Sequence, residues 1–192
     1  MKRRFQVLSV LLALLLTLTA CSAPAARLTA EEIEALRVDY PFCCNPGMVE
    51  IMFVPIEENI ERAHTFVYGE IVGEVEEVES DNFLSWCDRF RYTATVIDDS
   101  EGLFEKGEQV PFSESSLVSS IISEFSNGMQ FIAAYKVGEE DKNNGHCLWW
   151  SMFYVTEDGY VIASFNETQM GSKLILSGMR VEDVLKAVKK EK

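Results

Sequence analysis

Histidine is scarce in this chain: His64 and His146 are the only two among 192 residues. No C-x-x-C, G-x-S-x-G, H-E-x-x-H or G-x-x-x-x-G-K occurs either. That removes the sequence signals of a dithiol redox centre, a nucleophile elbow, a zinc protease helix and a phosphate-cradling loop. Basic residues are few as well, 17 against 31 acidic. Such a balance repels phosphates, so a nucleic-acid partner is excluded, and the domain has no charge of its own with which to hold anionic lipid. Beyond residue 20 no apolar run nears the ~20 residues that a membrane-spanning helix needs.

The one long apolar run is at the start. Met1-Lys2-Arg3-Arg4 is a basic cluster, and residues 5–20 follow with Gln6, Ser9, Thr17 and Thr19 as their only polar members. A charged region followed by an apolar one is the order of a secretory signal. The run ends in Leu18-Thr19-Ala20-Cys21, which resembles the lipobox of bacterial lipoproteins. The resemblance implies cleavage before Cys21 and a diacylglycerol on its thiol. Residues 1–20 would then be a lipoprotein signal peptide, and Cys21 the lipidated N-terminus of an extracytoplasmic protein. Two or three acyl chains hold a protein stably at a membrane where one would be marginal. Residues 21–27 read as a short tether of small residues, and residues 28–192 as a single domain. Beyond residue 20 only 14 basic residues remain against all 31 acidic ones, a net charge of −17.

Within the domain, residues 28–37 have a helix signature. Thr29 and Glu32 stand at capping-box spacing, and Leu28 and Ile33 at hydrophobic-staple spacing. Residues 54–65 suggest a second helix, with Ile56, Ile60 and Ala63 on one face. From residue 64 the pattern turns to strands. Residues 64–78 are β-branched and aromatic, with Gly69 and Gly73 as candidate bends. Residues 89–97 alternate, Phe90, Tyr92, Ala94 and Val96 against Arg89, Arg91, Thr93 and Thr95. Residues 105–112 give a Lys106-Gly107 turn and a short strand whose Pro111 suggests an edge. Residues 115–125 read as a short helix or a covering loop. Residues 129–137, 146–155 and 160–165 are further strands, the last two joined by a turn at Glu157-Asp158-Gly159. Val181, Val184, Leu185 and Val188 make the apolar stripe of a C-terminal amphipathic helix.

The expected fold is therefore mainly β with flanking helices: a small antiparallel OB-like β-barrel, short N-terminal helices and a C-terminal amphipathic helix. Over roughly residues 42–165, a glycine in the first strand, a Lys-Gly turn and a G-x-x-F strand resemble the barrel of the netrin and metalloproteinase-inhibitor type. Inhibitors of that type place the amine of an N-terminal cysteine on a protease zinc. Here Cys43-Cys44 lie 22 residues past Cys21, and the terminal amine would sit at the membrane. That mechanism is not carried over.

Cys43, Cys44, Cys87 and Cys147 are even in number outside the cytoplasm, and two disulfides are the natural reading. A bond between neighbours is strained, which leaves 43–87 with 44–147, or 43–147 with 44–87. Each closed loop would contribute about 3–5 kcal/mol before strain. Adjacent cysteines fit one metal tetrahedron awkwardly, so no metal and no other cofactor is expected. Trp149 and Trp150 are the candidate ligand platform. As strand neighbours they face opposite ways, one to fill the core and one to meet a sugar ring or a partner's apolar side chain. The expected function is a lipid-anchored, non-enzymatic binding module with an envelope protein or glycan as partner. The alternatives are a small hydrolase using His64 or His146, and a thiol-based redox or metal module at Cys43-Cys44.

Overall fold

A computed structural model describes residues 27–42, 54–78, 89–115, 126–138 and 145–192, without the side chains of 77, 78, 89, 90, 114, 115 and 149. The signal and lipobox segment, Cys43, Cys44, Cys87 and residues 116–125 lie outside the described residues, as does the side chain of Trp149. The described part is mainly β: an antiparallel sheet with helices before and after it. In chain order the elements are α1 (Ala30–Leu36), α2 (Ile56–Arg62), β1 (Thr65–Val78), β2 (Arg89–Asp99), β3 (Gln109–Ser115), β4 (Gln130–Lys136), β5 (His146–Val155), β6 (Val161–Ala163) and α3 (Val181–Glu191).

The helix ends follow from local chemistry. The Thr29 hydroxyl accepts the Glu32 N–H at 3.3 Å, and the Glu32 carboxylate accepts the Thr29 N–H at 2.7 Å. The capping box expected for α1 is complete, so two otherwise unpaired donors are satisfied reciprocally. The staple residues Leu28 and Ile33 pack on the same core. Helix α2 is shorter than expected. Ala63 turns extended (ψ 148°), and His64 N–H donates to Tyr135 O at 2.9 Å, so the chain joins β4 before Thr65.

The strands lie in the order β3-β2-β1-β4-β5-β6, every neighbouring pair antiparallel. β1 is the longest and pairs on both sides, with β2 and with β4. It can do so because it bends at two register shifts, one at Gly69 and one spanning Gly73, whose φ of +84° only glycine adopts readily. Edge strand β3 carries Pro111, which costs no ladder bond at a sheet edge. β3 comes back beside β5 without a hydrogen-bonded ladder between them, so the sheet is coiled but not closed.

Alternation sorts the side chains into two cores. Inside the coil, Tyr92, Phe112, Phe131 and Tyr135 meet edge to face or stacked, at centroid distances of 5.0–5.7 Å. Val67, Ala94, Val110 and Cys147 complete this core, and α1 covers one end of it through Ile33 and Leu36. On the other face of β4, β5 and β6, Ile132, Phe153 and Val161 pack under α2 and α3. Val181, Val184, Leu185 and Val188 of α3 are buried there, as their spacing requires.

Strand β5 carries an irregularity that alternation alone does not predict. Ala133 pairs with Met152 and Tyr135 with Cys147, so one residue of β4 faces four of β5. The three extra residues form a bulge in which Trp150 takes a left-handed backbone (φ +58°). Asn59 of α2, itself buried, donates from Nδ2 to the Trp150 carbonyl at 3.2 Å and holds the bulge. The Trp150 ring goes into the second core, while its indole N–H has no acceptor among the described residues.

β6 ends at Ala163, two residues short of the expected strand, and residues 166–176, which no periodicity marks, follow it. Their centre is Glu167, 6% exposed, whose carboxylate accepts the N–H groups of Leu176 (2.5 Å) and Ser177 (3.2 Å). Burial pushes its pKa above the usual 4.5; hydrogen bonds from Ser177 and Leu176 and the nearby Arg27 charge offset only part of that. The native state therefore binds this proton more tightly than the unfolded chain does. Stability is highest below the ordinary glutamate range and falls as pH rises through the raised value. Glu167→Gln removes that titration. The Tm of the variant minus that of the parent should rise between pH 4 and pH 8; a difference independent of pH would contradict the assignment.

Candidate functional site

The residues singled out from the sequence do not converge on one centre. His64 is pinned at the end of β4, where its Nδ1 accepts the Val137 N–H at 3.0 Å. That lone pair is committed to the backbone, so the neutral ring carries its proton on Nε2 and has no free lone pair with which to act as a base. Cys147 is buried in the inner core with its Sγ 3.8 Å from the Tyr92 hydroxyl. Trp150 is the tryptophan that fills the core: at 4% exposure it offers no stacking face to a ligand. The bulge turns it under α2 and α3, which corrects its place in the expected platform. His146 and Cys147 do line a common cavity of about 270 Å³ with Asn59, Arg62, Val54 and Leu148. Among the described residues no three Asp, Glu, His or Cys side chains stand close enough to hold a metal ion.

A larger opening lies at the end of the sheet where three connections meet. The Asn127-Gly128 turn, the hairpin turn after β5 and the segment leaving α1 enclose a groove of about 520 Å³. Each wall is fixed by its own chemistry. Gly128 (φ +88°) donates to Ile71 O at 2.8 Å and Asn127 Oδ1 accepts the Gly73 N–H at 2.8 Å, which ties the first turn to β1. Gln130 is held at both ends: Oε1 accepts the Tyr68 hydroxyl at 2.6 Å, and Nε2 donates to Glu70 at 3.3 Å. The hairpin turn is closed by Thr156 N–H to Tyr160 O (2.8 Å) and Gly159 N–H to Thr156 O (2.8 Å).

The third wall is Tyr40, half-buried, its ring 5.5 Å from that of Tyr154. The Tyr154 hydroxyl donates to Pro41 O at 3.1 Å and so fixes the segment that carries Tyr40. Burial raises the Tyr40 pKa first, and the charges of Glu157, Asp39 and Asp158 raise it further. The groove thus combines an aromatic face, two oriented carboxamides, an apolar floor at Met129 and Val155, and a negative rim. A largely preformed concavity with a few convergent polar groups is the usual form of a ligand site.

In the sequence, Asp39-Tyr40-Pro41 ends the first helix signal because the residue before proline avoids the α region, Asn127-Gly128 is a turn signal, and residues 157–159 are the turn of a hairpin. No motif joins them. The available signal was that turn residues separated by about thirty positions end strands on the same side of the sheet. Comparison with known protein families, with curated proteins and with solved structures finds no match to this chain.

Proposed function

We propose that this protein is a lipid-anchored extracytoplasmic binding module that acts by holding a ligand or partner rather than by catalysis. The observation that carries the binding role is the groove at Tyr40, Gln130 and Glu157, whose walls are fixed by internal hydrogen bonds before any ligand arrives. The commitment of His64 Nδ1 to the Val137 N–H favours a structural over a chemical role for that histidine. The anchoring reading rests on the basic start, the apolar run and Leu18-Thr19-Ala20-Cys21. A position at the cell-membrane outer face, or at an outer membrane where the host has one, follows from it, with the membrane itself as first partner.

The finer fold reading, an OB-like barrel, is supported by connectivity. A long bent β1 shared by β2 and β4, with β3 brought back beside β5, is the path of a partly open five-stranded barrel to which β6 is appended.

Cys21→Ser tests the anchor. The parent should incorporate a fatty-acid probe and lose residues 1–20. The variant should stay unprocessed and unlabelled, and normal processing would refute the lipobox. A second reading, chemistry at the cavity lined by His146, Cys147 and Arg62, is favoured by their convergence there. An envelope phenotype lost in His146→Ala but intact in Tyr40→Leu would support it over the groove.

A further inference from the structure

We infer that the groove between Tyr40 and Glu157 takes an organic cation, a guanidinium or ammonium group stacked on the Tyr40 ring with its charge toward the Glu157 carboxylate. This rests on the groove being a binding site and names its ligand class. The first observation is charge. Asp39, Glu157 and Asp158 crowd this end of the molecule, and none forms an ion pair among the described residues. The two nearby arginines are already engaged. Arg37 lies 3.8 Å over the Phe42 ring and donates to Ala163 O (2.6 Å) and Tyr40 O (3.2 Å). Arg180 lies 4.0 Å over the Tyr160 ring and donates to the carbonyl of Asp158.

The second observation is that the Arg180 pair shows what this hairpin does with a cation. The turn after β5 seats a guanidinium on an aromatic face and gives its N–H a carbonyl. The groove sets a second aromatic residue, the half-buried Tyr40, beside Glu157 of the same hairpin turn. Its floor of Met129 and Val155 suits an alkyl stem, and the charged rim suits the head. The net charge of −17 beyond residue 20 strengthens the attraction at low salt. A neutral sugar would use the ring and the carboxamides but would leave the carboxylates unanswered.

The test uses the full lipidated protein in nanodiscs of zwitterionic lipid, with ¹³C-methyl methionine. Met129 reports the groove, and the buried Met152 and Met170 report the cores. Nα-acetyl-L-arginine amide, spermidine and Nα-acetyl-L-citrulline amide, whose ureido side chain is a neutral isostere of the guanidinium, are titrated in turn. Arginine amide should shift Met129 and leave Met152 and Met170 still, with citrulline amide at least about tenfold weaker. Glu157→Gln and Tyr40→Leu should each weaken arginine amide roughly threefold to tenfold. Glu157 is exposed, so that variant keeps its fold, which unchanged Met152 and Met170 signals verify. Arginine amide acting alone makes the source a basic peptide; an equal response to spermidine makes it a polyamine. Equal binding of arginine and citrulline amides overturns the cation and leaves the groove as a neutral-ligand site. Silence of Met129 to all three and to a panel of neutral sugars overturns both.

Discussion

Asp99→Ala should cost about 3 kcal/mol or more of folding stability, seen as an early urea midpoint and a Tm lower by several degrees. Asp99 closes β2, and its side chain organises the connection that follows. Oδ1 accepts the Thr65 hydroxyl (2.7 Å) and the N–H groups of Glu101 and Leu103 (3.0 Å each), and Oδ2 accepts the Phe104 N–H (3.1 Å). Removing the carboxylate takes an acceptor from four donors at once, of which Thr65 and Glu101 keep contacts to Ser100 Oγ and Thr65 Oγ1 at 3.3 Å each, and a buried unpaired donor costs on the order of 1–3 kcal/mol. Partial access of water to Glu101 and Leu103 keeps the total below the full sum. The effect has a pH signature. Burial pushes the Asp99 pKa up, but the bonds from Leu103, Thr65, Phe104 and Glu101 outweigh it and hold the group below the usual aspartate value. Its stabilisation is therefore complete above the ordinary range and is lost as pH falls through the depressed value. In the alanine variant that acid-side loss should shrink. If the variant unfolds with the parent's midpoint and acid limb, the loop does not depend on this carboxylate.

Phe112→Ala should be about as severe, on the order of 3–5 kcal/mol. Phe112 is 1% exposed and sits where three rings meet: stacked on Tyr92 at 5.5 Å, edge-on to Phe131 at 5.3 Å, and tilted against Tyr135 at 5.0 Å. Its truncation opens a cavity that the surrounding rings cannot fill by small shifts. It is also the centre of β3, whose only ladder partner among the described residues is β2. Hydrogen exchange should show β3 amides losing protection before those of β4, which is paired on both sides. A loss under about 1 kcal/mol would mean that β3 is not seated on this core.

The extent to which the fold was legible follows from how local each cause is. The capping box of α1 needs only Thr29 and Glu32, and it was readable. The alternation of Tyr92, Ala94 and Val96 and the stripe of α3 were equally plain, because a single periodicity fixes each. The β5 bulge was not legible. It arises because Trp150 gains burial under α2 and Asn59 waits there for its carbonyl, a contact 91 positions away in sequence. Glu167 was invisible for the same reason: its meaning lies in the N–H groups of Leu176 and Ser177, which no pattern announces. The groove was legible only as three separate turns. Their meeting is a property of strand order, and the sequence carries strand order only through the coiling of β1.

The bulge in β5 also says something about how the two layers of this molecule could change independently. Cys147 and Met152 are five positions apart yet share the inner core, although residues an odd number apart on a plain strand face opposite ways. Taking out the three surplus residues would leave them two apart and still in phase. To the sheet, then, the surplus residues are a parenthesis: the ladder on either side reads the same with or without them. To the helical layer they are the sentence itself, since they deliver Trp150 to α2 and α3. An ancestor or a relative could carry the same barrel interior under a differently furnished roof, and length variation would be tolerated at this one point of β5 before anywhere else along the strand.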